Sequence, residues 1–294
     1  LVPALRGWLD GDGAPRGAFV DAGRPSLHIG GWHDLFLDAT LAGFAAGGAD
    51  ARLVVGPWAH GVTGSRAGAA DYGPDAPQAL TGVQLDFFAA VLDDRLDEVP
   101  RVRVFVMGED AWRTETQWPP ARMRERRLTF APGDGAGVYA HDPRDPVPTL
   151  GGAIVCDPAL GVPGPADRRA LSERRDVLTY TYDPLPAPLE LMGPVRAELE
   201  ATTTAPETDW CVALNAVAPD GRALGICDGV ARTSADRPVV HLGSTAIVVP
   251  AGHRLQVQVA SSNFPRVAAH PEPARQRVAH RSSLVLPVTS GAPS

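Results

Sequence analysis

The sequence predicts an α/β segment followed by an all-β sandwich, and three observations carry that reading. Between residues 26 and 55, apolar runs alternate with one helically spaced stretch in the order strand, helix, strand. From Val102 onward, helical periods give way to two-residue alternation. Gly 31 and Pro 29 make up about a fifth of the 294 residues and follow no three-residue period, so turns are frequent and a collagen-like repeat is excluded.

Within the first segment, 26–29 is a short apolar run closed by Gly30-Gly31, and 52–55 is a β-branched run closed by Gly56-Pro57. Between them, 35–46 has helical spacing and stops at Gly47-Gly48. A second helix fits 79–92, with Leu80, Val83, Phe87 and Val91 on the inner face and Gln84, Asp86, Asp93 and Asp94 toward water. Composition changes at Asp97 to Pro100, which places a domain boundary at 98/99: residues 1–98 belong to the α/β part and 99–294 to the sandwich. In the second part, Val102, Val104 and Val106 alternate with Arg101, Arg103 and Phe105, Val195, Ala197 and Leu199 with Arg196, Glu198 and Glu200, and Leu255, Val257 and Val259 with Arg254, Gln256 and Gln258, as strands with one buried and one wet face do. Pro219-Asp220-Gly221-Arg222 reads as a hairpin turn. Several short strands between turns indicate a sandwich of the jelly-roll or immunoglobulin type.

Composition also bounds function. A net charge of −7 without a basic run argues against nucleic acid or an anionic membrane surface as partner. There is no lysine, and no apolar stretch reaches the ~18 to 20 residues of a spanning helix. With no export signal in view, a cytoplasmic location is expected. Cys156, Cys211 and Cys227 are odd in number and far apart, which fits reduced thiols better than a disulfide framework or a zinc site.

Two parallel strands joined by a right-handed crossover end at the same sheet edge, where ligands bind. Just past the first strand lies Asp34 in Gly31-Trp32-His33-Asp34, and just past the second lies His60 in Gly56-Pro57-Trp58-Ala59-His60. A carboxylate beside an imidazole fixes its tautomer and prepares the other ring nitrogen to take a proton from a nucleophile. Plainer readings stand beside this one. Asp34 could cap the following helix, His60 could be an ordinary loop histidine, and Trp32 and Trp58 could be packing residues. A metal bound by His33, Asp34 and His60 is disfavoured because adjacent residues 33 and 34 point apart.

Seven stretches, in order, resemble the cocaine esterase and X-prolyl dipeptidyl-peptidase family of serine hydrolases: GWHDLFLDATLAGF, ARLVVGPWAHG, FFAAVLDDRL, VRVFVMGEDAWR, PADRR, PDGRALGICDGVAR and GHRLQVQVASSNFPR. The likeness runs from about 26 to 286. It implies the C-terminal remnant of an α/β-hydrolase domain followed by a jelly-roll β-sandwich, with Asp34 as triad acid and His60 as triad base. It also places Phe36 at an acyl-pocket position, and Val155 and Cys156 in a loop by which the sandwich reaches the site mouth. Otherwise Phe36 would be a helix-face core residue, and Val155 and Cys156 plain sandwich residues. The resemblance implies a small-molecule ester, amide or peptide substrate and no cofactor, and it leaves oligomeric state open.

The chain departs from the family at 236–252 and after Pro265, where it looks shortened. The larger departure is the nucleophile. α/β-Hydrolases place serine on a Gly-x-Ser-x-Gly elbow before the acid. Here Ser26 alone precedes Asp34 and lacks elbow glycines, while Ser65 follows the base and fits neither order nor flanks. Leu1 in place of Met agrees with a chain that is the C-terminal part of a longer product. By itself it is expected to be nearly inert, and a truncated parallel sheet is expected to expose apolar edges and faces. A different class remains open: a non-catalytic sandwich that binds a sugar or partner chain through Trp112 and Trp118, although these two read better as anchors at the domain junction.

Overall fold

A computed structural model describes residues 23–155, 157 and 159–289. Strands β1 (Ser26–His33) and β2 (Ala51–Ala59) pair in parallel, and helix α1 (Leu37–Ala46) joins them. After the short β3 (Arg66–Ala67) and β4 (Ala70–Asp71) comes α2 (Leu80–Leu92), then β5 (Val102–Val106), parallel to β2, and β6 (Ala111–Glu115), antiparallel to β5. The first sheet therefore has the order β1-β2-β5-β6. It crosses the 98/99 position at which composition changes.

β2 is buried along all nine of its residues, as a central strand covered on both faces must be. The same position in the sheet accounts for Phe105, which the alternation of 101–106 had assigned to a wet face. As part of β5 it is fully buried, because β5 also has cover on both sides. Helix α1 starts two residues later than its apolar spacing suggests, with Phe36 at its N-cap. Helix α2 buries Phe87 and Ala90 and leaves Leu85, Phe88 and Leu92 exposed, so an apolar stripe at helical spacing stays uncovered.

The remaining strands are antiparallel: β7 (Met123–Thr129), β8 (Ala136–His141), β9 (Leu178–Thr181), β10 (Leu189–Glu198), β11 (Ala201–Thr203), β12 (Thr208–Val217), β13 (Ala223–Thr233), β14 (Val239–Val249), β15 (Arg254–Ala260), β16 (Ala274–Ala279) and β17 (Ser283–Thr289). They form sheets ordered β14-β10-β17-β7, β13-β12-β15-β9 and β11-β16-β8. Leu191, Val195, Ala197, Trp210, Leu214, Val257 and Leu284 pack between them as a β-sandwich core. The β12–β13 hairpin closes through the anticipated turn: Ala218 N–H donates to the Arg222 carbonyl at 2.8 Å, and Gly221 takes φ +86°. Gln256 and Gln258, which alternation had placed in water, are buried. Gln258 donates to Ser172 Oγ of a turn at 169–173 at 3.0 Å and accepts from Asn215 of β12 at 3.1 Å, while Gln256 donates to Thr181 Oγ1 of β9 at 3.0 Å, so the turn and the neighbouring strands supply the polar partners.

The first sheet joins the sandwich directly. Met107 N–H donates to the Ala246 carbonyl at 2.9 Å, and Val248 N–H donates to the Met107 carbonyl at 2.8 Å. Met192 and Ala246 of the sandwich pack in one cluster with Val104 and Phe105. Trp112 and Trp118 also pack toward the first sheet, Trp112 at 5.7 Å from Trp58 and Trp118 at 5.2 Å from Trp32. These contacts fit anchors at the junction rather than exposed binding residues.

Two glycines decide how β1 and β2 end. The backbones come so close that a Cβ on Gly31 would lie 2.3 Å from the Trp58 carbonyl oxygen, and one on Gly56 would lie 2.3 Å from the Trp58 ring. Gly31→Ala is therefore expected to cost about 1–3 kcal/mol by overpacking. Thermal unfolding followed by circular dichroism should show a fall of several degrees, whereas Gly64→Ala, which meets nothing within 4 Å, should leave the midpoint in place.

Candidate active site

The register of β1 and β2 sets the site. Gly31 lies opposite Gly56, and the next pair is His33 opposite Ala59, so β2 carries one extra residue beside Trp58. One step past that last pair stand Asp34 and His60. His60 Nδ1 lies 3.3 Å from Asp34 Oδ2, with the side chains 45% and 18% exposed respectively. The other carboxylate oxygen, Asp34 Oδ1, accepts the Phe36 backbone N–H at 2.8 Å. Asp34 thus closes a turn just ahead of α1 with one oxygen and faces the imidazole with the other; it does not cap the helix, whose N-cap is Phe36 and which has no side-chain cap bond.

The neighbours are structural. Trp58 is buried and donates its indole N–H to the Ala76 carbonyl at 3.1 Å, and Trp32 is buried and donates to the Phe105 carbonyl at 2.7 Å. Both are packing residues. His33 is buried against Tyr72, with its Nε2 2.8 Å from the phenol oxygen, and burial holds its pKa down to about 4. It belongs to a hydrogen bond separate from the Asp34–His60 pair. Ser26 sits at the opposite end of β1, eight residues and roughly 25 Å of strand from the pair.

Beside the pair, a cavity of about 470 Å³ opens between the first sheet and the sandwich. Trp32, Asp34 and Asp38 line one side and Val155, Cys227 and His241 the other. Val155 is partly exposed at this cavity, together with Asp34. Phe36 does not line it. Its ring instead meets the His60 imidazole, with centroids 5.2 Å apart and planes at 71°. Cys156 lies outside the described residues. Cys211 and Cys227 are free thiols, each pushed to a higher pKa chiefly by burial.

Sequence reasoning missed the group that holds the sandwich side of this cavity. The Asp228 side chain on β13 is only 6% exposed and accepts from Arg168 at 2.7 Å and from Arg266 at 2.6 Å. Arg168 also donates to the Leu150 carbonyl at 3.0 Å. Burial alone would raise the Asp228 pKa, but the two guanidiniums outweigh it and hold the carboxyl at about 2. The residues stand in the PADRR, ICDGVAR and NFPR stretches, but nothing local in those stretches reveals that they meet.

With this geometry in place, the molecule falls into the class of a sheet-edge Asp–His pair set against a β-sandwich. The family described as the X-Pro dipeptidyl-peptidase C-terminal non-catalytic domain matches residues 95–286. The chain is 37% identical over 287 residues to cocaine esterase of Rhodococcus sp. (strain MB1 Bresler), covering 82% of this chain and 49% of that protein. In fold, it is similar to an aminopeptidase from a marine sediment Thaumarchaeota archaeon (TM-score 0.79, 23% identity, 90% of this chain and 55% of that one). It is also similar to an α-amino acid ester hydrolase (TM-score 0.69, 23% identity, 90% of this chain and 55% of that one). The chain belongs to the cocaine esterase and X-Pro dipeptidyl-peptidase family. It spans about half the length of the cocaine esterase it matches. Among the described residues, no helix is long and apolar enough to cross a membrane.

Two stability predictions follow from the buried groups. The His33 pKa is depressed from 6.5 to about 4 in the fold, so unfolded chains bind the proton first and stability falls as pH drops through that interval. Denaturant titrations should show a loss of about 3 kcal/mol between pH 7 and pH 4 from this group, and His33→Gln should flatten the profile. Asp228→Ala leaves Arg168 buried without its carboxylate and should cost about 3–5 kcal/mol, measured by the same titration at pH 7.

Proposed function

We propose that this chain carries the acid and base of a serine hydrolase that cleaves an acyl ester or amide through an acyl-enzyme. On this reading, the β1–α1–β2 unit is the C-terminal remnant of an α/β-hydrolase domain. The observation that carries the proposal is the 3.3 Å approach of His60 Nδ1 to Asp34 Oδ2 at a shared strand end. A carboxylate at Nδ1 holds the proton there and makes Nε2 the proton acceptor. The 3.3 Å separation lies within hydrogen-bond reach.

In the proposed reaction, a serine from a polypeptide segment outside this sequence bonds through Oγ to the acyl carbon as His60 Nε2 takes the hydroxyl proton. His60 returns that proton to the leaving alcohol or amine as the carbon–heteroatom bond breaks. Water repeats the cycle, with His60 as base and then acid, to release the carboxylic acid and free the serine. Asp34 orients the ring and stabilises the imidazolium. Val155, and Cys156 by its place in the sequence, would contribute the sandwich side of the substrate site.

A second reading is favoured by one observation: the matching family is described as non-catalytic and covers 95–286. Under it, the sandwich acts as a binding or scaffolding module without chemistry of its own. The two part on one experiment. Joined to a nucleophile-bearing segment, the chain should release the alcohol of a chromogenic acyl ester in a burst, and His60→Ala should lower turnover by about three to four orders of magnitude. Unchanged turnover in His60→Ala would dismiss the hydrolase assignment of this pair.

A further inference from the structure

We propose that Phe36 is a positioning residue for the His60–Asp34 pair, acting on both partners at once. The inference rests on the hydrolase reading of that pair and goes beyond it, since the resemblance assigns Phe36 to an acyl pocket whereas the 470 Å³ cavity lacks it.

The Phe36 backbone N–H fixes one carboxylate oxygen of Asp34 at 2.8 Å, which turns the other toward His60. The Phe36 ring meets the imidazole in a T-shaped contact at 5.2 Å. The residue itself is anchored, because its carbonyl accepts the Thr40 N–H at 2.9 Å and the Thr40 hydroxyl at 3.1 Å. One residue at the start of α1 therefore joins acid, base and helix.

The need for such an anchor comes from exposure. The last torsion of a histidine is broad and roughly two-fold, so a half-exposed imidazole samples the orientation that turns Nδ1 away from its carboxylate. Water also competes for a 3.3 Å hydrogen bond at a side chain that is 45% exposed. An aromatic ring in edge-to-face contact restrains the plane of the imidazole, and within that plane the Asp34 carboxylate selects the flip that presents Nδ1 to it.

The test reads the His60 tautomer by long-range proton–nitrogen NMR of the ¹⁵N-labelled chain, at a pH where the ring is neutral. The native chain should favour Nδ1–H. Phe36→Ala, which keeps the backbone N–H, should shift the Nδ1–H to Nε2–H ratio toward Nε2–H by roughly 3- to 10-fold. Phe36→Leu, which keeps an apolar cover and preserves folding more safely, should shift it less in the same direction. In an Asp34→Ala background, adding Phe36→Ala should change the ratio no further, because the ring acts through the pair. An unaltered ratio in both single variants, with an amide spectrum that stays folded, would overturn the proposal. So would an undiminished ring effect without Asp34. Neither outcome depends on turnover, so failure here is distinct from failure of the hydrolase reading, which ester hydrolysis by His60→Ala reports.

Discussion

The close passage of β1 against β2 at Gly31 and Trp58 governs the geometry of the candidate site. The strands come together only because residues 31 and 56 have no side chain, and the Trp58 indole fills the space next to them. The extra residue in β2 at this point brings His33 opposite Ala59, and the following residues, Asp34 and His60, leave the sheet side by side. A register shift of one residue would send the two side chains to opposite faces. The Asp–His pairing is thus a property of backbone packing before it is a property of the two polar groups.

The sandwich contributes to the same region through a different kind of constraint. Asp228 draws Arg168 and Arg266 together from segments about 40 to 60 residues away in sequence, and Arg168 reaches on to the Leu150 carbonyl. The loop that carries Val155 begins beside that carbonyl, so a buried charge cluster fixes one end of the loop on which the sandwich reaches the cavity. Such a cluster contributes to geometry more dependably than to net stability, since taking three charged groups out of water offsets much of their attraction.

Much of this arrangement was legible in the sequence, and the reasons differ by element. Asp34 and His60 could be read as neighbours because parallel strands joined by a crossover end at one edge, a rule that needs only the strand order. The strands themselves read short, since Gly30-Gly31 and Gly56-Pro57 look like terminators. In the fold they remain in the strands, as the points where two backbones touch. Phe105, Gln256 and Gln258 were assigned to wet faces because alternation shows which side is apolar but not whether a second layer covers the other side. The Arg168–Asp228–Arg266 cluster left no local signal, because its spacing has no period and its meaning depends entirely on the folded path of the chain. The Phe36 contact with His60 lay in the same blind spot, as a helix-entry residue whose partner is 24 positions away.

The stitch at Met107 has a consequence for how the molecule comes apart. Its amide and carbonyl each bond to β14, and Met192 and Ala246 share a core with Val104 and Phe105, so the first sheet and the sandwich are joined here by both backbone bonds and packing. Loosening either layer exposes the apolar surface of the other, which couples their melting into a common transition. The first sheet, with an apolar stripe bare along α2, borrows its persistence from the larger β structure to which it is sewn.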